Sequence, residues 1–200
     1  VYNMDFMDKD QPLGPAVMKG WKSPRKPPWT IGYASTYAGN TWRKGAMERL
    51  MDIKVNDRVE HIRVVMAELQ RIASHLLCTG VFGLDLGAFT PFLWALRDRE
   101  RILDLFEFTC GARLLYNYMW VGGLSHDIPV GFVESTFEFL DYFEPQIFEY
   151  NELLTGNKIF IERTADVGVM PADVAINYGV TGPSLRGSGV SYDLRKIFLI

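Results

Sequence analysis

Cysteine is scarce: Cys78 and Cys110 are the only two in 200 residues. Two thiols cannot by themselves hold an iron–sulfur cluster or a structural zinc, which take about four ligands. Both stand in helical patterns, where a lone thiol is expected to pack as a small core side chain, and nothing supports a disulfide. Any redox cofactor is therefore expected to sit elsewhere. Histidine is almost as sparse, with three residues. His61 and His75 lie fourteen residues apart on one expected helix, a rise of ~21 Å, so no metal reaches both. His126 stands in "GGLSHDIP", where Asp127 is the nearest other ligand type. No resident metal is expected.

Long apolar runs are missing too, since nothing approaches the ~20 residues of a membrane span. The opening "VYNMDFMDKD" carries acids early and lacks an apolar core, so no secretory signal is expected. Nor does one sign of charge dominate: 21 Lys and Arg against 24 Asp and Glu leave a formal net charge of -3. Neither a basic nucleic-acid footprint nor an acidic solvating tail fits that balance. The nucleotide patterns G-x-x-x-x-G-K-[ST] and G-x-G-x-x-G do not occur. No Ser/His/Asp or Cys/His arrangement has a local context for nucleophilic catalysis.

What is present is a globular composition, 48% hydrophobic and 22% charged, enough for a real core. Residues 1–32, including "GPAVMKGWKSPRKPP", read as an irregular leader rich in Pro, Lys and Gly. The rest, 33–200, reads as one mainly α domain. "WTIGYASTYAGNTWRKGAMERLMDI" is an extended piece leading into a helix that ends near Met51. In "RVEHIRVVMAELQRIASHLLC" the residues Val59, Ile62, Met66, Leu69, Ala73 and Leu76 draw one apolar stripe at three- and four-residue steps. Thr90 and Pro91 read as N-cap and first-turn proline of a helix running to Gly122-Gly123, bent at Gly111. Its charge run, with Arg97–Glu100 and Asp98–Arg101 three residues apart, reads as a solvated face. A third helical region follows Pro129 and ends at Gly156, kinked or divided at Pro145. "PADVAINYG" is a short helix between Pro171 and Gly179, and "TGPSLRGSGVSYDLRK" a glycine-rich loop. That loop is made of turn-forming glycines or is a backbone-lined wall facing a ligand or another subunit. Arg186, Asp193 and Arg195 there suit an ion-pair network.

Asp85 is the residue that local sequence leaves open. In "GLDLGAFTPFLW" it is flanked by Leu84 and Leu86, and the next charge is Arg97. An ionised carboxylate in apolar surroundings is costly unless paired or hydrogen-bonded. Either it caps a turn through backbone N–H groups, or it is a functional acid tuned by a partner.

Four stretches carry a resemblance: "RVEHIRVVMAELQRIASHLL", "LDLGAFTPFLWALRDRERILDLFE", "GARLLYNYMWVGGL" and "IFIERTADVGVMPADVAINYGVTGPSLRGSGVSYDLRK". From about Tyr33 to Lys196 the sequence resembles the D-type (49-kDa-type) subunit family of respiratory complex I, NADH–quinone oxidoreductase. That family shares its fold with the large subunit of nickel–iron hydrogenases, a mainly α helical bundle. The two C-x-x-C pairs that hold the hydrogenase metal are absent from this sequence, which favours the quinone branch. The resemblance implies a quinone chamber between this chain and an adjacent iron–sulfur subunit, with a C-type subunit as a further partner. Quinone is the implied substrate; iron–sulfur clusters, FMN and NADH belong to partner subunits. The implied location is peripheral, on the cytoplasmic side of a cell membrane or the matrix side of the mitochondrial inner membrane.

By the same resemblance the acid of the family's D-[LI]-G-A-x-T-P-F motif matches Asp85, and the chamber tyrosine matches Tyr33, in "GYAS" upstream of "AMERL". Tyr33 has a plainer reading as an ordinary packed aromatic. Thr90, Pro91, Phe92, Arg113, Gly182, Arg186 and Gly189 are the implied chamber residues. A tyrosine hydroxyl can donate a proton to a quinone oxygen as its charge develops, and an acid–histidine pair can hold compensating charge. The sequence departs from the family at Gly32, Arg49 and Trp120, where an acid, a lysine and an arginine are usual. The H-P-x-x-H-G hairpin that supplies the acid's histidine partner does not occur in it. Two other readings therefore stand beside the quinone site: a structural or assembly subunit, and a related membrane oxidoreductase with a different electron donor.

Overall fold

The computed structural model describes residues 46–193. The leader at 1–32, Tyr33 and Arg195 lie outside them. The described residues fall into two compact units divided between Gln146 and Ile147.

The first unit is built on a helical hairpin. Helix α1 (Asp57–Asp85) starts at Asn56, whose side chain accepts the Arg58 N–H at 2.9 Å, with Asp57 and Glu60 in its first turn. Both features suit the partly positive end of a helix. Ile62, Met66, Leu69, Ala73 and Leu76 are buried, so the apolar stripe is real. The helix outruns the expected end at Cys78, passing Gly80 and Gly83. Gly80 permits packing rather than ending the helix. A Cβ on Gly80 would meet the Ala95 Cβ at 3.0 Å and the Phe92 Cα at 3.3 Å, so α2 approaches closely there.

Gly87 (φ 92°) turns the chain. Its N–H reaches the Leu84 carbonyl at 2.9 Å, and the Ala88 N–H reaches Gly83 at 2.8 Å, the Schellman pattern of helix ends. Helix α2 (Phe89–Cys110) follows at once. Thr90 is therefore not its N-cap: Ala88 is, without a side-chain hydrogen bond. Pro91 loses nothing in the first turn, where N–H groups have no intrahelical acceptor.

Helix α2 does not continue to Gly122. Gly111, left-handed at φ 74°, ends it with its N–H on the Glu107 carbonyl. After an irregular stretch, β1 (Met119–Trp120) pairs antiparallel with β2 (Gly123–Leu124), Met119 opposite Leu124. Tyr116, Tyr118 and Met119 are buried, so aromatics with a helical look fill the core from non-helical backbone. Helix α3 (Phe132–Tyr150) buries Phe132, Phe139 and Phe143 and runs unbroken through Pro145. The carbonyl that Pro145 leaves without a partner belongs to Asp141, an exposed residue that water can reach. A π-helical turn (Asn151–Thr155) leads to Gly156, the expected end of this region.

The second unit is a run of short helices. Helix α4 (Lys158–Thr164), which the sequence pattern does not reveal, is capped by the Asn157 side chain. Helix α5 (Ala172–Asn177) lies between Pro171 and Gly179, as expected. The supposed loop after it instead winds residues of α6 (Gly182–Gly187) into a helix. Pro183 suits a first turn, and left-handed Gly182 and Gly189 flank it.

Candidate functional site

Asp85 is the last residue of α1, and its surroundings answer the capping question. The turn behind it is closed by backbone atoms alone, from the N–H groups of Leu86, Gly87 and Ala88 to carbonyls of Phe82, Leu84 and Gly83. The carboxylate takes no part. It is exposed, and among the described residues nothing hydrogen-bonds or ion-pairs with it. The capping alternative is thereby set aside among the described residues, and the carboxylate is left exposed.

Two features still set it apart. It stands where the helix macrodipole is negative, and no basic residue shares its last turn, an unfavourable end for an anion. Its neighbours are exposed and apolar as well. Val81 and Phe82 lie one turn back on the same face, and Phe89 and Leu93 open the next helix; Phe82 is 51% and Phe89 56% exposed. Phe92 is half-buried with its ring 6.2 Å from that of Phe89, Pro91 is buried, and Thr90 is exposed. Asp85, Thr90, Pro91 and Phe92 thus belong to one end of the helical hairpin, where Val81, Phe82, Phe89 and Leu93 are exposed as well.

Arg113 does not join them. Its guanidinium donates to Glu100, Asp104 and Glu107, at 2.5–2.6 Å. Hydrogen bonds to Asp104, Glu107 and Glu100 raise its pKa above the usual arginine value. Asp104 stands about 20 Å along α2 from the helix start, so Arg113 serves the far half of that helix. In the second unit Arg186 is exposed and donates to the Tyr192 carbonyl at 3.4 Å. Gly182 and Gly189 bracket α6 there. Cys78 is exposed rather than a core residue, while Cys110 is half-buried with its thiol on the Phe106 carbonyl.

Three polar arrangements have no plain trace in the sequence. Arg63, 4% exposed, forms a bidentate pair with buried Glu48 at 2.8 and 3.0 Å and also reaches Glu60. It donates to the carbonyls of Trp120 and Gly123, while the Gly122 N–H donates to Glu48. The pair thereby clamps the β1–β2 hairpin to α1 and to the helical stretch over residues 46–50. The hydrogen bond to Glu48 is the main reason the Arg63 pKa is raised. One signal for it exists: Arg63 shares a helical phase with Val59, Met66 and Gln70, the side that is buried.

Asp98, fully buried, accepts the Tyr142 hydroxyl at 2.8 Å and the Arg97 Nε at 2.8 Å, so the charge run is not wholly a solvated face. Arg101 lies 3.6 Å over the Tyr142 ring. Burial first, then the bond to Asp98, raises the Tyr142 pKa. Tyr118 is fully buried with no partner for its hydroxyl among the described residues. Its ring meets His126 edge-on, and burial pushes its pKa up to about 12. Among the described residues no group of three potential ligands could hold a metal ion.

The model of the family described as respiratory-chain NADH dehydrogenase, 49-kDa subunit, matches residues 85–198, starting at Asp85 itself. The chain belongs to that family. Its relatives include the D-type NADH-quinone oxidoreductase subunit of Chlorobium phaeovibrioides, 58% identical over 151 residues, 76% of this chain and 38% of the relative. The D-type subunit of Pelodictyon phaeoclathratiforme is 59% identical over 151 residues, with the same shares. One from Cytophaga hutchinsonii is 56% identical over 153 residues, 76% of this chain and 39% of that one. The chain thus spans about two fifths of the length of these 49-kDa-family relatives. No described helix is long and apolar enough to cross a membrane.

Proposed function

We propose that this chain forms part of the quinone site of a proton-translocating NADH–quinone oxidoreductase, with Asp85 as its acid. The observation that carries the reading is a carboxylate on the "DLGAFTPF" stretch that the described fold does not use: exposed, outside the turn's hydrogen bonds, and at the same end of the hairpin as exposed Val81, Phe82, Phe89 and Leu93. Such an end suits an apolar quinone head group or the surface of a covering subunit. Thr90, Pro91 and Phe92 are the wall residues nearest the acid in sequence, and Tyr33 is the proton donor by resemblance. Arg113 is left out because three carboxylates already hold it. Quinone reduction takes up two electrons and two protons. The electrons come from an adjacent iron–sulfur subunit, with flavin and NADH further away and a C-type subunit alongside. The chain reaches the cytoplasmic or matrix face of the membrane through the complex.

Asp85→Asn in the assembled complex should lower NADH–quinone turnover by roughly a hundredfold or more, the lower end of what a positioned group in a proton-transfer path contributes. NADH oxidation by an artificial acceptor should continue, and the circular dichroism should not change. Undiminished quinone turnover would remove Asp85 from the mechanism. Tyr33→Phe should raise the quinone requirement or lower turnover in the same assay, and no effect would reject its match.

A further inference from the structure

Gly80 is buried in the interior of α1, five residues before Asp85. A helix interior is a poor place for glycine, which loses the most backbone freedom there and packs no side chain. The space beside it explains the residue. A Cβ at this position would lie 3.0 Å from the Ala95 Cβ, 3.3 Å from the Phe92 Cα and 3.5 Å from the Phe92 ring at Cδ2. Helix α2 fills the place of the missing atom, and two of those three contacts are the backbone and ring of Phe92. The other, Ala95, is small and only 2% exposed.

The connection between the helices leaves no slack. Leu86, Gly87 and Ala88 alone join α1 to α2, and their N–H groups are tied back to carbonyls of α1. The connection cannot take up a wedge at position 80. Such a wedge lifts the first turns of α2, with Thr90, Pro91 and Phe92, a few tenths of an ångström away from α1, which carries Asp85. Asp85 is about 7.5 Å along the helix from Gly80, so little is lost over that span. Displacements approaching about 0.5 Å already matter to a positioned site.

We infer that Gly80 is a positioning residue of the quinone site: its lack of a Cβ sets how far Phe92 stands from Asp85, and so how closely the head group is held. The inference rests on the quinone reading of Asp85 and extends it to a residue that touches no substrate.

In the assembled complex, Gly80→Ala should raise the KM for decylubiquinone at least threefold and lower kcat by a smaller factor. NADH oxidation by an artificial acceptor should not change. Adding Ala95→Gly reopens the contact and should bring the KM back to within twofold of wild type. Leu69→Ala is the control: it loosens the same hairpin at a buried position about 16 Å from Gly80 and should leave the KM within twofold. Phe92→Leu should itself raise the KM, and Gly80→Ala on that background should add less than twofold, because the ring being positioned is gone. An unmoved KM in Gly80→Ala or in Phe92→Leu would overturn the inference, and so would an equal rise in Leu69→Ala or no recovery with Ala95→Gly. Where Gly80→Ala does not assemble, Phe92→Leu decides on the same terms. The two readings fail separately. Asp85→Asn without effect removes the quinone site, and Gly80 with it; a slowed Asp85→Asn beside an unmoved KM in Gly80→Ala removes only the role of Gly80.

Discussion

Removing the Glu48 carboxylate would leave the Arg63 guanidinium buried with its bidentate partner gone. Breaking a buried pair on one side costs about 3–5 kcal/mol, so Glu48→Ala should lower the unfolding free energy by about that much in urea denaturation. Arg71→Ala, which removes the exposed pair with Glu68, should change it by less than about 1 kcal/mol. A small effect at Glu48 would mean that the clamp is hydrated. Tyr118 argues the other way: its hydroxyl finds no partner among the described residues, so Tyr118→Phe should be neutral or slightly stabilising. Because its pKa is raised to about 12 from 10.0, the unfolded chain loses the phenolic proton first. The stability tied to this group is fully present below pH 10 and lost as the pH rises toward 12. Urea denaturation of wild type and Tyr118→Phe below and above pH 10 checks both points, and ultraviolet titration reads the ionisation itself. Neither residue is legible as special in sequence. Glu48 finds Arg63 across fifteen positions, and the solitude of the Tyr118 hydroxyl depends on what closes around it.

Glycines separate what can be read at the level of elements from what cannot. The stripe from Ile62 to Leu76 predicts α1 because a period near 3.6 survives any tertiary context. The end of that helix escapes the pattern because Gly80 looks like a terminator in one dimension and is a contact point in three. Gly111 reads as a bend, yet it stops α2, since a left-handed residue hands the chain to the irregular stretch before β1. Gly80→Ala sets two effects against each other. Alanine gains roughly 1 kcal/mol of helix propensity, but its Cβ would lie 3.0 Å from that of Ala95, and overpacking costs about 1–3 kcal/mol. A net loss of melting temperature is expected, recovered in part by adding Ala95→Gly; a more stable single variant would show that the hairpin gives way easily.

Over the whole molecule, the mainly α class follows from periodicity, and family membership from motif order. The division near Gln146 does not, because α3 passes through it without a change in composition. Exposed Phe82, Phe89, Phe137 and Phe148 mark surfaces that water covers poorly. Sedimentation of the isolated chain should show association that grows with concentration and weakens in Phe137→Glu; a monomer at all concentrations would argue against sticky faces. The backbone-only closure at Gly87 has its own consequence. Because no bond among the described residues passes through the Asp85 side chain, that position is a socket: its occupant can be exchanged by selection or by experiment without renegotiating the described architecture. Substitutions there should therefore report on chemistry, free of folding artefacts.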